Sequence, residues 1–116
     1  MRLFNSFGFA INGIITAFKL NLNLKILFLI EILVIIAAFL FKLSQLEVIL
    51  VIVLIALIFS AEMINSALEE VVNLLINEHS IEAKIAKDVC AGMVLVVSIA
   101  VFVSGLIIFL PHIFPK

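Results

Sequence analysis

Residues 48–73 decide the fold: they read VILVIVLIALIFSA over 48–61 and EMINSALEEVVN over 62–73. The first part is apolar but too short to cross a bilayer alone, because a transmembrane helix needs about 20 residues. It becomes long enough only if the helix continues through Glu62 and Glu69 toward Ile76. The stretch therefore predicts one long helix, at about 48–75, whose far end carries polar side chains at the membrane surface.

Two other stretches have the length and composition of membrane spans. Residues 22–41 are apolar except for three side chains, and as a helix they would reach about 30 Å, which matches the hydrocarbon core. The third span, at about 88–110, contains an apolar run from Val89 to Leu110 that is interrupted only by serines and other small residues. Together with the central helix, they predict three transmembrane helices. Glu31 lies inside the first span, where it could pair with a polar group of a neighbouring protomer, and we assign it no catalytic role.

The composition of the whole chain fixes its class. Of its 116 residues, 66% are hydrophobic and 13% are charged, and the mean hydropathy is +1.47. Soluble domains are about 45 to 50% apolar, so residues 1–116 form a single membrane-protein unit. One cysteine and two histidines cannot build a Cys/His zinc site, and the four glycines form no phosphate-binding motif. The net charge of -1, with cations spread along the chain, excludes nucleic acid as a partner.

The first twenty residues have a different pattern from the spans. The apolar side chains that recur there at helical spacing are Phe4, Phe7, Ile11, Ile14, Ile15 and Phe18. The polar side chains that fall on the opposite side are Asn5, Asn12, Thr16 and Lys19. This pattern predicts an amphipathic helix over about 3–19 that lies in the membrane interface. The alternative is a frayed extension of the first span.

The basic residues predict the orientation in the membrane. Five of them fall on the side of the amino terminus and the second loop: Arg2, Lys19, Lys25, Lys84 and Lys87. Lys42 and Lys116 fall on the other side. The excess places the amino terminus and the second loop in the cytoplasm. We also expect Pro111 and Pro115 to close the third span at its outer end.

The polar part of the central helix forms one stripe. On a helix that advances about 100° per residue, five side chains share an arc of about 100°. They are Glu62, Asn65, Ser66, Glu69 and Asn73. Carboxylates near lipid need a polar partner, which an ion or a polar substrate would supply. The alternative is that they form hydrogen bonds with neighbouring helices, as polar groups in membrane bundles often do.

The loop that follows the stripe carries charges of both signs. Its ionisable residues are Glu78, His79, Glu82, Lys84, Lys87 and Asp88. Carboxylates suited to Mg²⁺ beside a lysine suited to phosphate oxygens are the groups that phosphoryl transfer requires. The alternative for Lys84 and Asp88, which are four residues apart, is an ordinary ion pair at a solvated helix end.

The run from Ala61 to Asn73, followed by Ala86-Lys87-Asp88, resembles the signature of the bacterial diacylglycerol kinase and undecaprenol kinase family. The tail at residues 105–113 is similar to the undecaprenol kinase branch. The resemblance implies an all-α integral-membrane lipid kinase that forms a homotrimeric bundle in the bacterial inner (cytoplasmic) membrane. Its active sites would lie between protomers on the cytoplasmic side, and its substrates would be ATP and a membrane lipid alcohol.

The resemblance also implies roles for individual residues. Glu62 would be the general base, and Glu69 would hold Mg²⁺ on the ATP phosphates. The nucleotide-binding residues would be Asn65, Lys87 and Asp88. Asn21 occupies the position of a second metal ligand, where relatives carry a glutamate, and Asn73 replaces an aspartate. Since an amide ligates Mg²⁺ without charge, these two departures predict weaker metal binding.

Three functions follow as alternatives. The leading one is ATP- and Mg²⁺-dependent phosphorylation of a lipid alcohol, with undecaprenol preferred over diacylglycerol. The second is a structural or regulatory membrane trimer of the same fold whose catalysis is weakened or lost through Asn21 and Asn73. The third is a small ion or drug carrier built on the polar stripe, which would need no ATP.

Overall fold

The computed structural model describes residues 2–75 and 81–115, and these residues form four α-helices. Their bounds are α1 Arg2–Leu20, α2 Leu22–Leu40, α3 Gln45–Leu75 and α4 Ile81–Ile113. Each of the four is long and apolar enough to cross a membrane. The all-helical prediction is therefore confirmed. Glu78 and His79 lie outside the described residues.

Helix α1 is the least apolar of the four. Nearly all of its side chains are exposed, and Ala17 and Phe18 near its carboxyl end are half-buried. The Phe18 ring meets the Phe28 ring of α2 edge to face, with 5.4 Å between the ring centroids. The end of α1 is therefore held against α2. The position of α1 in the membrane interface stays a prediction.

A single residue joins α1 to α2. The backbone of Asn21 is extended, with φ -115° and ψ 109°, and its Oδ1 accepts a hydrogen bond of 2.9 Å from the Asn23 backbone N–H. Asparagine is among the preferred residues at this position because its side chain satisfies an N–H that the helix leaves unpaired. Asn21 therefore ends one helix and caps the next.

The turn after α2 uses a left-handed residue that is not glycine. Lys42 has φ 54° and donates its backbone N–H to the Phe39 carbonyl at 3.2 Å. The Leu43 N–H reaches the Ala38 carbonyl at 3.1 Å. These two bonds form a Schellman motif, which satisfies carbonyl groups at the helix end. The left-handed conformation is strained there because lysine, unlike glycine, has a Cβ atom.

Helix α3 begins with a capping box. The Glu47 N–H donates to Ser44 Oγ at 3.2 Å, and the Ser44 N–H donates to Glu47 Oε1 at 2.8 Å. His112, near the end of α4, lies with its Nε2 3.0 Å from Glu47 Oε2. This contact links residues 65 positions apart in sequence. It fixes α4 antiparallel along α3 at the end opposite the polar stripe.

Helix α4 differs from the prediction at both ends. It begins at Ile81, so Glu82 and Lys84, which we expected in a loop, lie in its first two turns. The ion pair between Lys84 and Asp88 favours helix there because the two side chains meet one turn apart. Pro111 does not close the helix, which continues to Ile113. Pro111 removes the hydrogen bond to the carbonyl of residue 107 and crowds that carbonyl, and only two more helical residues follow it.

Few side chains are buried in the single chain. The buried apolar residues among those described are Leu24, Ala38, Val51, Ala61, Cys90 and Ile108. Glu31 and Glu62 are buried as well. Most large apolar side chains are exposed, as expected for surfaces that face lipid or other copies of the chain. The homotrimer stays a prediction.

Candidate active site

The site lies where the start of α2 meets the polar stripe of α3. Glu62 is only 8% exposed, although it is ionisable. The Asn21 Nδ2 group donates to Glu62 Oε1 at 3.5 Å and to Ser66 Oγ. Glu62 and Ser66 are one helical turn apart, so a single amide bridges both. The fold thus gives the buried carboxylate a polar partner from the residue that joins α1 to α2, and a carboxylate near lipid needs such a partner because its burial there is unfavourable.

A second pair of stripe residues lies beside the first. Asn65 Nδ2 donates to Glu69 Oε1 at 3.4 Å along α3. Asn65 is half-buried, whereas Glu69 is exposed. The Asn65 amide therefore holds the Glu69 carboxylate from one side and leaves it open to a ligand.

A cleft of about 500 Å³ opens between α1 and α3 beside these residues. Asn12 and Thr16 line it from α1, and Ser66, Glu69 and Glu70 line it from α3. The rest of its lining is largely apolar. Sequence reasoning placed Asn12 and Thr16 on the polar face of α1 but did not assign them to a site. Asn12 and Thr16 are one helical turn apart, which indicated a shared polar face. The sequence did not show which helix this face contacts.

The structure does not join Lys87 and Asp88 to the stripe within one chain. Asp88 Oδ2 lies 2.7 Å from Lys84 Nζ, with 64% and 78% of the two side chains exposed. Lys87 is also exposed. Among the described residues, no hydrogen bond or ion pair connects either predicted nucleotide ligand to Glu62. The ordinary ion pair that the sequence offered as an alternative is therefore present.

The acidic residues at the site suit a Mg²⁺ ion that binds together with a nucleotide. Carboxylate oxygens are the ligands that Mg²⁺ prefers, and Glu69 presents one in the cleft. In the described part of the chain, no three acidic, histidine or cysteine side chains come together as a metal site. Protein-bound Mg²⁺ in phosphate-transferring enzymes usually takes one or two carboxylates and fills the remaining positions with phosphate oxygens and water. The donor set agrees with that mode of binding.

Four helices long and apolar enough to cross a membrane, with carboxylates and amides beside one cleft, indicate an integral-membrane protein with a polar site. A model of the prokaryotic diacylglycerol kinase family matches residues 8–109. The chain therefore belongs to the prokaryotic diacylglycerol kinase family, and it is a lipid kinase. The resemblance that the α3 motif carries is confirmed.

Two relatives show how far the similarity extends. The undecaprenol kinase of Bacillus subtilis (strain 168) is 37% identical over 110 residues, which cover 95% of this chain and 89% of the relative. The diacylglycerol kinase of Synechocystis sp. (strain ATCC 27184 / PCC 6803 / Kazusa) is 37% identical over 111 residues, which cover 95% of this chain and 63% of that longer protein. No solved structure gives a significant match to the chain.

Proposed function

We propose that this chain transfers the terminal phosphate of ATP to a membrane lipid alcohol, and that the alcohol is undecaprenol. The observation that carries the proposal is the buried Glu62, hydrogen-bonded to Asn21 beside a cleft at the end of the apolar helices. The undecaprenol kinase matches over more of its own length than the diacylglycerol kinase does, which supports the choice of lipid. Since both relatives are kinases, the non-catalytic trimer is not favoured.

Glu62 is the general base of this proposal. Its carboxylate is shielded from bulk solvent, and Asn21 contacts it where the apolar part of α3 gives way to the polar stripe. A lipid hydroxyl that enters from the bilayer at this level would reach Glu62 Oε1 or Oε2 and give up its proton there. A positioned base contributes about 10²- to 10⁴-fold to such a step.

Glu69 and Asn65 form the phosphate side of the proposed site. The exposed Glu69 carboxylate would hold Mg²⁺, and Asn65 orients that carboxylate through its amide. Bound Mg²⁺ would supply neutralisation of the charge on the transferring phosphate oxygens. Glu62 and Glu69 are two helical turns apart on one face of α3, so the proton acceptor would lie on the same side of the helix as the metal-binding carboxylate in the cleft. Asn21, which the resemblance implies as a second Mg²⁺ ligand, contacts Glu62 and Ser66 through its amide nitrogen.

Lys87 and Asp88 would complete the site from an adjoining copy. In the single chain they are exposed at the start of α4 and make no bond to the stripe residue Glu62. A symmetric homotrimer would bring the start of α4 from one protomer to the stripe of the next, so that Lys87 meets the phosphates and Asp88 the nucleotide. We place these sites on the cytoplasmic side of the bacterial inner membrane, where ATP is present.

Phosphate transfer from labelled ATP tests the proposal. The purified protein, in mixed micelles with Mg²⁺, is given undecaprenol and diacylglycerol in separate reactions. We expect labelled undecaprenyl phosphate, and a loss of about 10²- to 10⁴-fold in Glu62→Gln. Glu47→Gln is the matched control, because it makes the same change at the opposite end of α3, and it should remain active. Label on neither lipid, or full activity in Glu62→Gln, would contradict the proposal.

A further inference from the structure

Every hydrogen-bonding group of Asn21 is engaged. Its backbone N–H donates to the Ala17 carbonyl at 3.0 Å, and its backbone carbonyl accepts from the Lys25 N–H at 3.4 Å. Its side-chain oxygen accepts from the Asn23 N–H at 2.9 Å. The side-chain Nδ2 group has two protons, and it makes one contact with Glu62 and one with Ser66. No donor of this residue is left over.

These contacts fix which way the amide faces. An amide turned by half a rotation would point its oxygen at the Glu62 carboxylate, so that two acceptors would meet without a proton between them. The same rotation would point an N–H at the Asn23 N–H and remove the cap of α2. Both consequences are unfavourable, so the oxygen stays on the α2 side. The group that faces α3 has no lone pair to offer a cation.

We propose that Asn21 is a positioning residue that holds the Glu62 carboxylate through its amide N–H groups, and that it is not a magnesium ligand. This inference rests on the proposed role of Glu62 as the base. Glu69 holds the metal through its carboxylate, and Asn21 sets the direction from which Glu62 meets the lipid hydroxyl.

The position of Asn21 explains why it can perform this task. It is the one residue between α1 and α2, and its backbone is anchored to a helix on either side. Glu62 lies 41 residues later on α3. The amide therefore joins three helices at the level of the cleft, and the Glu62 side chain loses rotational freedom. A base that is held in one rotamer meets its substrate without further ordering.

Three variants distinguish the role of Asn21 as the cap of α2 from its contact with Glu62. Asn21→Ser keeps a good capping oxygen but is too short to reach Glu62, whereas Asn21→Ala removes both groups. Asn23→Ala is the matched control, because it changes an exposed side chain and keeps the backbone N–H that donates to the cap. We expect kcat to fall by about tenfold or more in Asn21→Ser and Asn21→Ala, with an unchanged KM for Mg-ATP. Asn23→Ala should behave as the parent does.

Manganese binding gives a readout that needs no turnover. Mn²⁺ is titrated by electron paramagnetic resonance in the presence of a non-hydrolysable ATP analogue. We expect the Mn²⁺ dissociation constant of Asn21→Ala to equal that of the parent, and that of Glu69→Gln to rise. A rise of about tenfold or more in Asn21→Ala would overturn the inference, because removal of groups that support a metal costs at least that much. An unchanged kcat in both Asn21 variants would overturn it as well.

The two proposals fail in different ways. If the parent labels no lipid, or if Glu62→Gln is as active as the parent, the proposed function fails. The manganese titration still decides whether Asn21 is a ligand. If the parent is active and Glu62→Gln is inactive, a weakened Mn²⁺ affinity in Asn21→Ala contradicts only the positioning role of Asn21 and leaves the proposed function standing.

Discussion

Asn21→Glu is the change that probes the electrostatics of the site most sharply. The amide nitrogen of Asn21 lies 3.5 Å from Glu62 Oε1, and Glu62 is 8% exposed. A glutamate at position 21 would replace a hydrogen-bond donor with a second carboxylate next to a buried one. Asn21→Gln is the matched neutral variant, because its side chain has the same length and carries no charge.

The size of the effect follows from this distance. Two unit charges about 4 Å apart repel by roughly 4 kcal/mol at an effective dielectric constant of about 20. One of the carboxyls can take up a proton, and the cleft admits water, so the full repulsion is an upper bound. Without divalent cations, we expect the free energy of unfolding of Asn21→Glu to be about 2 to 4 kcal/mol below that of Asn21→Gln.

Equilibrium unfolding in detergent micelles measures the difference, once with a chelator and once with Mg²⁺. The gap between the two variants should narrow with Mg²⁺, because a ligand that binds only the folded state stabilises it. Equal stability of Asn21→Glu and Asn21→Gln in the chelator would refute the reasoning, since it would mean that side chains 21 and 62 do not meet.

Three further changes test the fold. Leu24 is fully buried, so Leu24→Ala should lower the free energy of unfolding by about 2 to 5 kcal/mol, through lost contacts and the cavity left behind. Equilibrium unfolding measures the loss, and a value below about 0.5 kcal/mol would contradict the packing. Lys42→Gly should raise the same free energy by up to about 1 kcal/mol because glycine tolerates φ 54°, and a decrease would argue against the left-handed turn. His112→Ala should lower the melting temperature, but should have no further effect in a Glu47→Ala background; additive effects of the two changes would show that the side chains do not interact.

The sequence was sufficient to predict those features of the structure that depend on the helical period of a single segment. Helix α3 runs from Gln45 to Leu75 without a break, so the helical period places Glu62 and Glu69 on one face. Continuous apolar runs of about 20 residues were enough for the all-helical class, because a segment of that length in lipid satisfies its own backbone hydrogen bonds as a helix. The family motif on α3 was enough to identify the chain as a lipid kinase.

The contacts between helices could not be read from the sequence. Asn21 and Glu62 are 41 residues apart, and Glu47 and His112 are 65 apart, so each pairing depends on how the helices pack. The left-handed turn at Lys42 lacks the glycine that normally marks it. The direction of the Asn21 amide depends on the cap and on α3 together. For that reason the sequence alone could not show that the amide nitrogen of Asn21 faces Glu62.

Complementation between two inactive variants tests the central claim most directly, namely that the site is shared by adjoining copies. Glu62→Gln and Lys87→Ala chains carry different tags, are produced together, and are purified over both tags, so that each trimer contains both kinds. In a cyclic trimer of this composition, one interface in three joins an intact Glu62 to an intact Lys87, which predicts about one third of the parent activity on undecaprenol. Activity no higher than that of either variant alone would show that adjoining copies do not share the site.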